Sequence, residues 1–386
     1  MIPYGRQSIS QSDIDAVTEV LQSNFLTQGP AVPLFEKLVS DYCGAQFSVA
    51  VNSATSALHI ACLALDLGPG DWLWTSPNTF VASANVGLYC GANVDFVDID
   101  PRTYNMCPGA LERKLKYAEG QGTLPKIVIP VHYAGQPCEM SDIKVLSDRY
   151  GFSIIEDASH AIGASYSGSP VGSCLYGDIT VFSFHPVKII TSGEGGMALT
   201  NHQELAERMT RLRSHGTTTN PEVMAYRDEQ EIWNYQQVEL GFNYRLTDVQ
   251  AALGSSQMAQ LDAFVARRRS IASRYHAELA DLPLILPHQS EGCVSSYHLY
   301  PIRVGVGPTD KSQREIYDGL RCSGIAANLH YIPVHRQPYY ESLGFSVGDF
   351  PEAEKFHREA ISLPIFPALT SSEQDYVIQS IRGLCH

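Results

Sequence analysis

Residues 176–201 read YGDITVFSFHPVKIITSGEGGMALTN. Two short runs, 179–184 and 196–200, are rich in β-branched and aromatic residues and bounded by glycine, which predicts two buried strands. The polar loop between them holds Lys188, flanked by Val187, Ile189 and Ile190. A lysine among apolar neighbours has reason to lose its proton, because desolvation disfavours the ammonium form. The neutral amine is the form that bonds to carbonyl carbon. On this stretch alone the plainer reading, a lysine arching over a turn to reach water, stays open.

Working outward, the chain alternates. FSVAVN (47–52), WLWTS (72–76), NVDFVDID (93–100), KIVIPVHYAG (126–135) and FSIIED (152–157) read as strands. Helical patterns fall between them at 54–65, 79–91, 111–119 and 140–151. Alternating strands and helices predict βαβ units, hence an α/β fold with a mostly parallel sheet covered on both faces. Upstream, a helix capped by Ser12 or Asp13 runs to about residue 22, a loop NFLTQGP (24–30) follows, and then a helix over 33–42. Downstream come a helix over 202–213, a mobile polar loop over 217–231, and one long helix over 247–279. YHLYPIRV (297–304) and GIAANLHYIPV (324–334) read as strands around a helix at 312–324. The expected division is a large α/β domain with the N-terminal segment, 1–246, and a linking helix with a smaller α+β domain, 247–386.

Composition narrows the functions. Of 386 residues, 44% are hydrophobic and 18% charged, enough for a sizeable core and too apolar for disorder. A net charge of −14 with no Lys/Arg run argues against nucleic acid or an anionic membrane as partner. The nine cysteines form no C-x-x-C pair, which fits reduced thiols in the cytoplasm. The first residues carry no secretory pattern, and no apolar run approaches the roughly 20 residues of a membrane helix. No G-x-x-x-x-G-K, G-x-G-x-x-G or H-E-x-x-H occurs, so a P-loop, a dinucleotide fingerprint and a zinc site are all unsupported. No metal is expected.

Ligands of open α/β sheets bind beyond the carboxyl ends of the strands. At those ends stand Asp157, with His160 three residues on; Ser183, just before Lys188; Ala54, Thr55 and Ser56, where a strand gives way to a helix; Phe80; and His132 with Gln136. Each has a plainer role: a turn carboxylate, a core histidine, an N-cap, a core phenylalanine. Together they meet the needs of one cofactor. A phosphate suits a helix N-terminus with small residues. A pyridine ring suits a carboxylate at its nitrogen, an aromatic face beside it and a lysine for its aldehyde.

NSATSALH, VHYAGQP, EDASHAIGASY, SFHPVK with IITSGEGG, GFNYRLTDVQAALG and SLP occur in that order. The ordered set resembles the sugar aminotransferases that use pyridoxal 5′-phosphate (the DegT/DnrJ/StrS type), from FLTQGP to ISLPIFP. NSATSALH, SFH-x-x-K and LRSHGT most resemble the subgroup that aminates C4 of a UDP-linked 4-keto-6-deoxy-N-acetyl sugar in pseudaminic acid biosynthesis, with glutamate as donor. The resemblance implies the aspartate-aminotransferase-like fold (fold type I) and a homodimer with shared active sites. It makes Lys188 the Schiff-base lysine and proton shuttle and Asp157 the partner of the pyridine nitrogen. His160 falls at the ring hydroxyl and Phe80 on the ring face. Ala54, Thr55, Ser56 and Ser183 fall at the phosphate, joined by Asn243 from the neighbouring subunit. Tyr4, the loop residues Asn24, Phe25, Leu26 and Thr27, and Asn328, Leu329, His330 and Tyr331 fall where the sugar nucleotide is touched. His215 and Arg245 are candidates for its phosphate charge, and Arg245 reads equally well as structural. Many relatives carry Gly-Thr where this chain has Ala54-Thr55, which keeps the amides and loses backbone freedom. Deoxygenating relatives replace the lysine with histidine, and Lys188 is present. Two readings remain beside this one: another 3- or 4-keto nucleotide sugar (dTDP or GDP), and a cofactor-binding regulator without turnover.

Overall fold

The computed structural model describes residues 1–225, 231, 233–305 and 311–385. Strand β1 (Ile2–Pro3) leads to helices α1 (Gln11–Gln22) and α2 (Ala31–Cys43). The alternating region follows: β2 (Phe47–Val51), α3 (Ala54–Ala64), β3 (Trp72–Thr75), α4 (Ala82–Tyr89), β4 (Asn93–Phe96), α5 (Pro108–Gln121), β5 (Ile127–Ile129), α6 (Met140–Tyr150) and β6 (Ser153–Asp157). A small hairpin, β7 (Ser165–Tyr166) and β8 (Ser169–Pro170), precedes β9 (Ile179–Ser183), β10 (Gly196–Thr200) and α7 (Gln203–Leu212). Seven strands form the central sheet in the order β2-β10-β9-β6-β5-β3-β4, and within it only β10 runs against its neighbours. The expected mostly parallel sheet is thus present. Its strands alternate sides as the pleat demands. Met197 and Leu199 pack toward α2 and α8 (Asp248–Met258), whereas Ala198 packs toward α3.

Beyond α7, β11 (Thr217–Thr218) pairs with β12 (Gln236–Gln237). The loop expected over 217–231 therefore begins in a short strand, and residues 226–230 of it lie outside the described residues. After α8 come α9 (Leu261–Leu279), β13 (Cys293–Val294), β14 (Tyr300–Arg303), α10 (Gln313–Cys322), β15 (Ile325–Ala326), α11 (Pro338–Glu341), α12 (Pro351–Glu359), β16 (Ala360–Leu363) and α13 (Ser371–Cys385). A second core gathers Ile271, Tyr275, Tyr300, Ile302, Leu320, Leu363 and Ile381. Strand β1 pairs in parallel with β15, so the chain's first residues pack with this C-terminal region. Among the described residues no helix is long and apolar enough to cross a membrane.

Three expectations from the sequence are corrected. The single helix over 247–279 is two, turning at Ala259 and Gln260. Helix α8 is fixed against α2, where Gly254 lets the Phe35 ring lie so close that a Cβ would overlap it. Helix α9 buries Leu261 and Val265 in the core that holds Phe35 and carries Ile271, Tyr275 and Leu279 into the C-terminal core. Residues 324–334 pair regularly only over β15, with Asn328 bridging to Ser362. Phe80 does not open a helix, because α4 begins at Ala82.

The start of α8 also anchors the N-terminal loop. Buried Asp248 accepts from the Gly29 amide at 2.9 Å and the Ala31 amide at 3.0 Å. Replacing it leaves two amides without their charged acceptor, and Asp248→Ala is expected to cost about 2–4 kcal/mol of stability by urea unfolding. A loss below about 0.5 kcal/mol would show that water replaces the carboxylate there.

Candidate active site

Strand β6 ends at Asp157 and β9 at Ser183, while β2 runs directly into Ser53, the cap of α3. These carboxyl ends open onto one cavity of about 560 Å³. It is lined by Tyr4, Ala54, Thr55, Phe80, Asp157, His160, Ser183, Lys188, Asn328, Leu329, His330 and Tyr331, residues drawn from every part of the chain. A wider groove of about 660 Å³ lies on the surface beside α2 and α7, and none of the expected site residues lines it.

The loop after β9 closes on itself through hydrogen bonds from Phe184 N–H to the Gly195 carbonyl (2.9 Å) and from Ser192 N–H to the Phe184 carbonyl (3.0 Å). Ile189 and Ile190 are buried in the core with Phe35 and Leu246, pinning the loop, and Val187 turns to the cavity. The burial of the Lys188 amine lowers its pKa from 10.5 to about 8, opposed by the Asp157 charge, which favours the ammonium. The Asp157 carboxylate is held rigidly. Ser83 Oγ donates to Oδ2 at 2.7 Å, and Ser159 donates to Oδ1 from its hydroxyl (2.6 Å) and its amide (3.1 Å). Its neighbour Glu156 points to the opposite face of the sheet, where it takes the Nε2 proton of buried His132 at 2.8 Å. His132 Nδ1 accepts from the Cys138 amide, so this histidine is a structural post outside the cavity. Gln136 is likewise absent from the lining.

At the start of α3 the Ser53 hydroxyl takes the Ser56 amide (3.1 Å), and Ser56 Oγ binds Asn52 Oδ1 (2.6 Å). Ser56 is therefore committed to the cap and does not line the cavity. Ala54 and Thr55 do, and the first amides of a helix have no carbonyl partner of their own. Gly196 of β10 passes so close beneath this turn that a Cβ there would overlap the Ser53 carbonyl and the Ala54 amide. The result is an anion cradle of backbone N–H groups beside the Ser183 hydroxyl.

Imidazoles and phenols make the opposite wall. His160 is buried; its Nδ1 accepts from the Ala134 amide at 3.2 Å and its Nε2 lies 3.1 Å from the Tyr331 hydroxyl. His298 packs on it with ring centres 4.4 Å apart, its Nδ1 without a hydrogen-bond partner. Burial and the neighbouring Lys188 charge hold both His160 and His298 well below the usual histidine range, and His330 is lowered to about 4 by the same causes. Phe80, 60% exposed, stands at the mouth with its ring centre 6.3 Å from that of Tyr331.

The remaining expected residues lie outside. Asn24, Phe25, Leu26, Thr27, His215 and Asn243 are all exposed. Thr27 bridges to Thr247, Asn243 to Ser214, and the His215 amide donates to the Phe242 carbonyl. Arg245 is partly buried beside Val51 and does not line the cavity. Sequence reasoning missed Ser83, Ser159, His298, His185 and Glu194. Ser159 had a local signal, an Asp two residues before it, and His185 and Glu194 lie in the same loop as Lys188; Ser83 and His298 are brought in by distant segments.

This is the site of a fold type I pyridoxal phosphate enzyme: a half-buried lysine of lowered proton affinity, a strand-end carboxylate and an amide cradle around one cavity. The chain belongs to the DegT/DnrJ/EryC1/StrS aminotransferase family, whose model matches residues 7–382. It is 36% identical over 386 residues to the spore coat polysaccharide biosynthesis protein SpsC of Bacillus subtilis, covering 99% of this chain and 97% of that one. Among solved structures, the putative sugar aminotransferase Spr1654 of Streptococcus pneumoniae in its PMP form superimposes with a TM-score of 0.90 at 30% identity, covering 100% of this chain and 99% of that one. PseC of Helicobacter pylori, an aminotransferase of pseudoaminic acid biosynthesis, gives 0.89 at 31% identity, with the same coverage. Pyridoxal phosphate is the cofactor of this family, and the residues present fit it: the Gly196 approach leaves the cradle amides clear, and the carboxylate and amine share one cavity.

An amine of pKa about 8 is neutral in roughly a quarter of molecules at pH 7.5, against about one in a thousand for a free lysine. Capture of added pyridoxal phosphate by cofactor-free protein should therefore accelerate with rising pH, with a midpoint near 8, read from the growth of visible absorbance. Asp157→Asn removes the charge that favours the ammonium and should move the midpoint down. A midpoint near 10.5 would place the amine in bulk water.

Proposed function

We propose that this chain is a cytoplasmic nucleotide-sugar aminotransferase. It transfers the amino group of glutamate to C4 of a UDP-linked 4-keto-6-deoxy-N-acetylhexose, as in pseudaminic acid biosynthesis. The observation that carries the chemistry is the pairing of Lys188, lowered to about 8, with Asp157, fixed by Ser83 and Ser159, in one cavity. The likeness to PseC supports the sugar. The likeness to SpsC favours a second reading, a different 3- or 4-keto nucleotide sugar (dTDP or GDP).

When bound, pyridoxal phosphate supplies an aldehyde that carries the amino group and a pyridine ring that takes up electrons. This chain's residues do the rest. Ala54, Thr55 and Ser183 would hold its phosphate, with Asn243 supplied by a second copy. Asp157 would keep a proton on the pyridine nitrogen, His160 would contact the ring hydroxyl, and Phe80 would shield the ring. Lys188 Nζ would hold the aldehyde and, as a free amine, would accept the donor's α-proton and supply one on the sugar side, so it would serve as nucleophile and general acid/base. Tyr4, Asn328, Leu329, His330 and Tyr331 orient the sugar.

Asn24, Phe25, Leu26, Thr27, His215 and Asn243 complete the partner's cavity in a homodimer. Their shared exposure, with Phe25 54% and Leu26 51% accessible, supports this role. His215 would contact the nucleotide phosphates there, whereas the place of Arg245 beside Val51 favours its structural reading.

Incubation with glutamate and a panel of nucleotide-linked 3- and 4-keto sugars, followed by mass analysis, tests the reading. Amination of the UDP-linked 4-keto sugar is expected. Lys188→Ala should abolish turnover and the visible absorbance of the bound cofactor, and Asp157→Ala should lose cofactor and most activity. Normal turnover by Lys188→Ala refutes the assignment, and bound cofactor with no 2-oxoglutarate release identifies a regulator. In a mixture of Lys188→Ala and Asn243→Ala proteins, reassorted subunits should recover activity that neither has alone. No recovery would confine each site to one chain.

A further inference from the structure

Resting on the reading above, we infer that Tyr331 is an oriented hydrogen-bond donor to an oxygen acceptor bound over Lys188, and that His160 is the positioning residue that fixes its direction. The argument follows the protons. Ala134 sits in the left-handed region (φ 58°, ψ 4°), which a residue with a Cβ adopts at a cost, and there its amide meets His160 Nδ1 at 3.2 Å. An amide N–H only donates, so Nδ1 must accept. A neutral imidazole that accepts at Nδ1 carries its proton on Nε2. That proton goes to the Tyr331 oxygen, 3.1 Å away. The tyrosine hydroxyl proton is then turned away from His160, into the cavity that Tyr331 lines with Lys188 and Asp157.

The surroundings hold this sense. A protonated His160 would have no lone pair for the Ala134 amide, and burial disfavours that cation. Burial likewise raises the Tyr331 hydroxyl above the usual range, so it keeps its proton to give. The His298 ring, tilted with its centre at 4.4 Å, and the Tyr133 ring at 6.1 Å pack around the His160 ring, and Ser296 Oγ donates to its carbonyl at 3.0 Å. Through this bond His160 sets the direction of the Tyr331 hydroxyl. A carbonyl or oxyanion oxygen is the group that accepts there, either the ring oxygen of the cofactor or the keto oxygen of the sugar.

The test uses cofactor-loaded Tyr331→Phe, His160→Leu, His160→Gln and the double variant Tyr331→Phe/His160→Leu. If the acceptor is the ring oxygen, Tyr331→Phe moves the pH midpoint of the bound cofactor's visible absorbance upward, because a donor favours the form without a proton. If it is the sugar carbonyl, the spectrum stays and kcat/KM for the keto sugar falls roughly 10- to 100-fold. In either case His160→Leu should match Tyr331→Phe, the double variant should lose no more than either single one, and His160→Gln, whose amide accepts and donates, should restore most of the effect. Should His160→Leu fail to fold, His160→Gln and Tyr331→Phe alone decide. A Tyr331→Phe protein normal in both readouts, or losses that multiply in the double variant, overturns the inference. A wild-type protein that forms no visible adduct with pyridoxal phosphate would instead overturn the proposed function, and so the two failures are distinguishable.

Discussion

One carboxylate organises the site. Asp157 ends a buried strand and accepts three hydrogen bonds from two serines, one on the turn that follows it and one on α4. A buried carboxylate is tolerated only when so satisfied, and the bonds that satisfy it also stop it from moving. Its charge reaches the Lys188 amine across the cavity and opposes the loss of the proton that burial promotes. The amine is thereby left near the middle of the working pH range, where it can both bond to carbon and carry protons.

The fold places these groups by a simple rule. Parallel strands deliver their carboxyl ends to one side, where β6 contributes Asp157, β9 contributes Ser183 and β2 leads into the α3 turn. The reversed strand β10 is what brings the α3 turn close: its first residue, Gly196, runs against the Ser53–Ala54 peptide with no room for a side chain. The amide cradle therefore depends on a glycine that touches no ligand.

Much of this was legible in the sequence. Alternating strand and helix patterns between residues 47 and 200 gave the sheet, and the spacing of Asp157, His160, Ser183 and Lys188 marked its edge. What escaped was whatever depends on packing between distant segments. Ser83 reaches Asp157 from another helix, and His298 meets His160 from a segment that carries no motif. The turn at Ala259 and Gln260 has neither proline nor glycine to announce it. Ser56 and His132 were misplaced for a related reason. Residue type cannot tell a hydroxyl or imidazole aimed at a ligand from one satisfied by its own neighbours.

The parallel pairing of β1 with β15 joins residues from the two ends of the sequence. Tyr4 and Asn328, which line the cavity, each sit just past that seam. Contacts between such remote segments carry the largest loop-closure entropy and form last. During synthesis the sheet and its lysine would thus be assembled while the wall built by Tyr4 and Asn328 still awaited the later part of the chain. An extension fused before Ile2 would weigh on that wall, away from the loop that carries Lys188 and the strand that ends at Asp157.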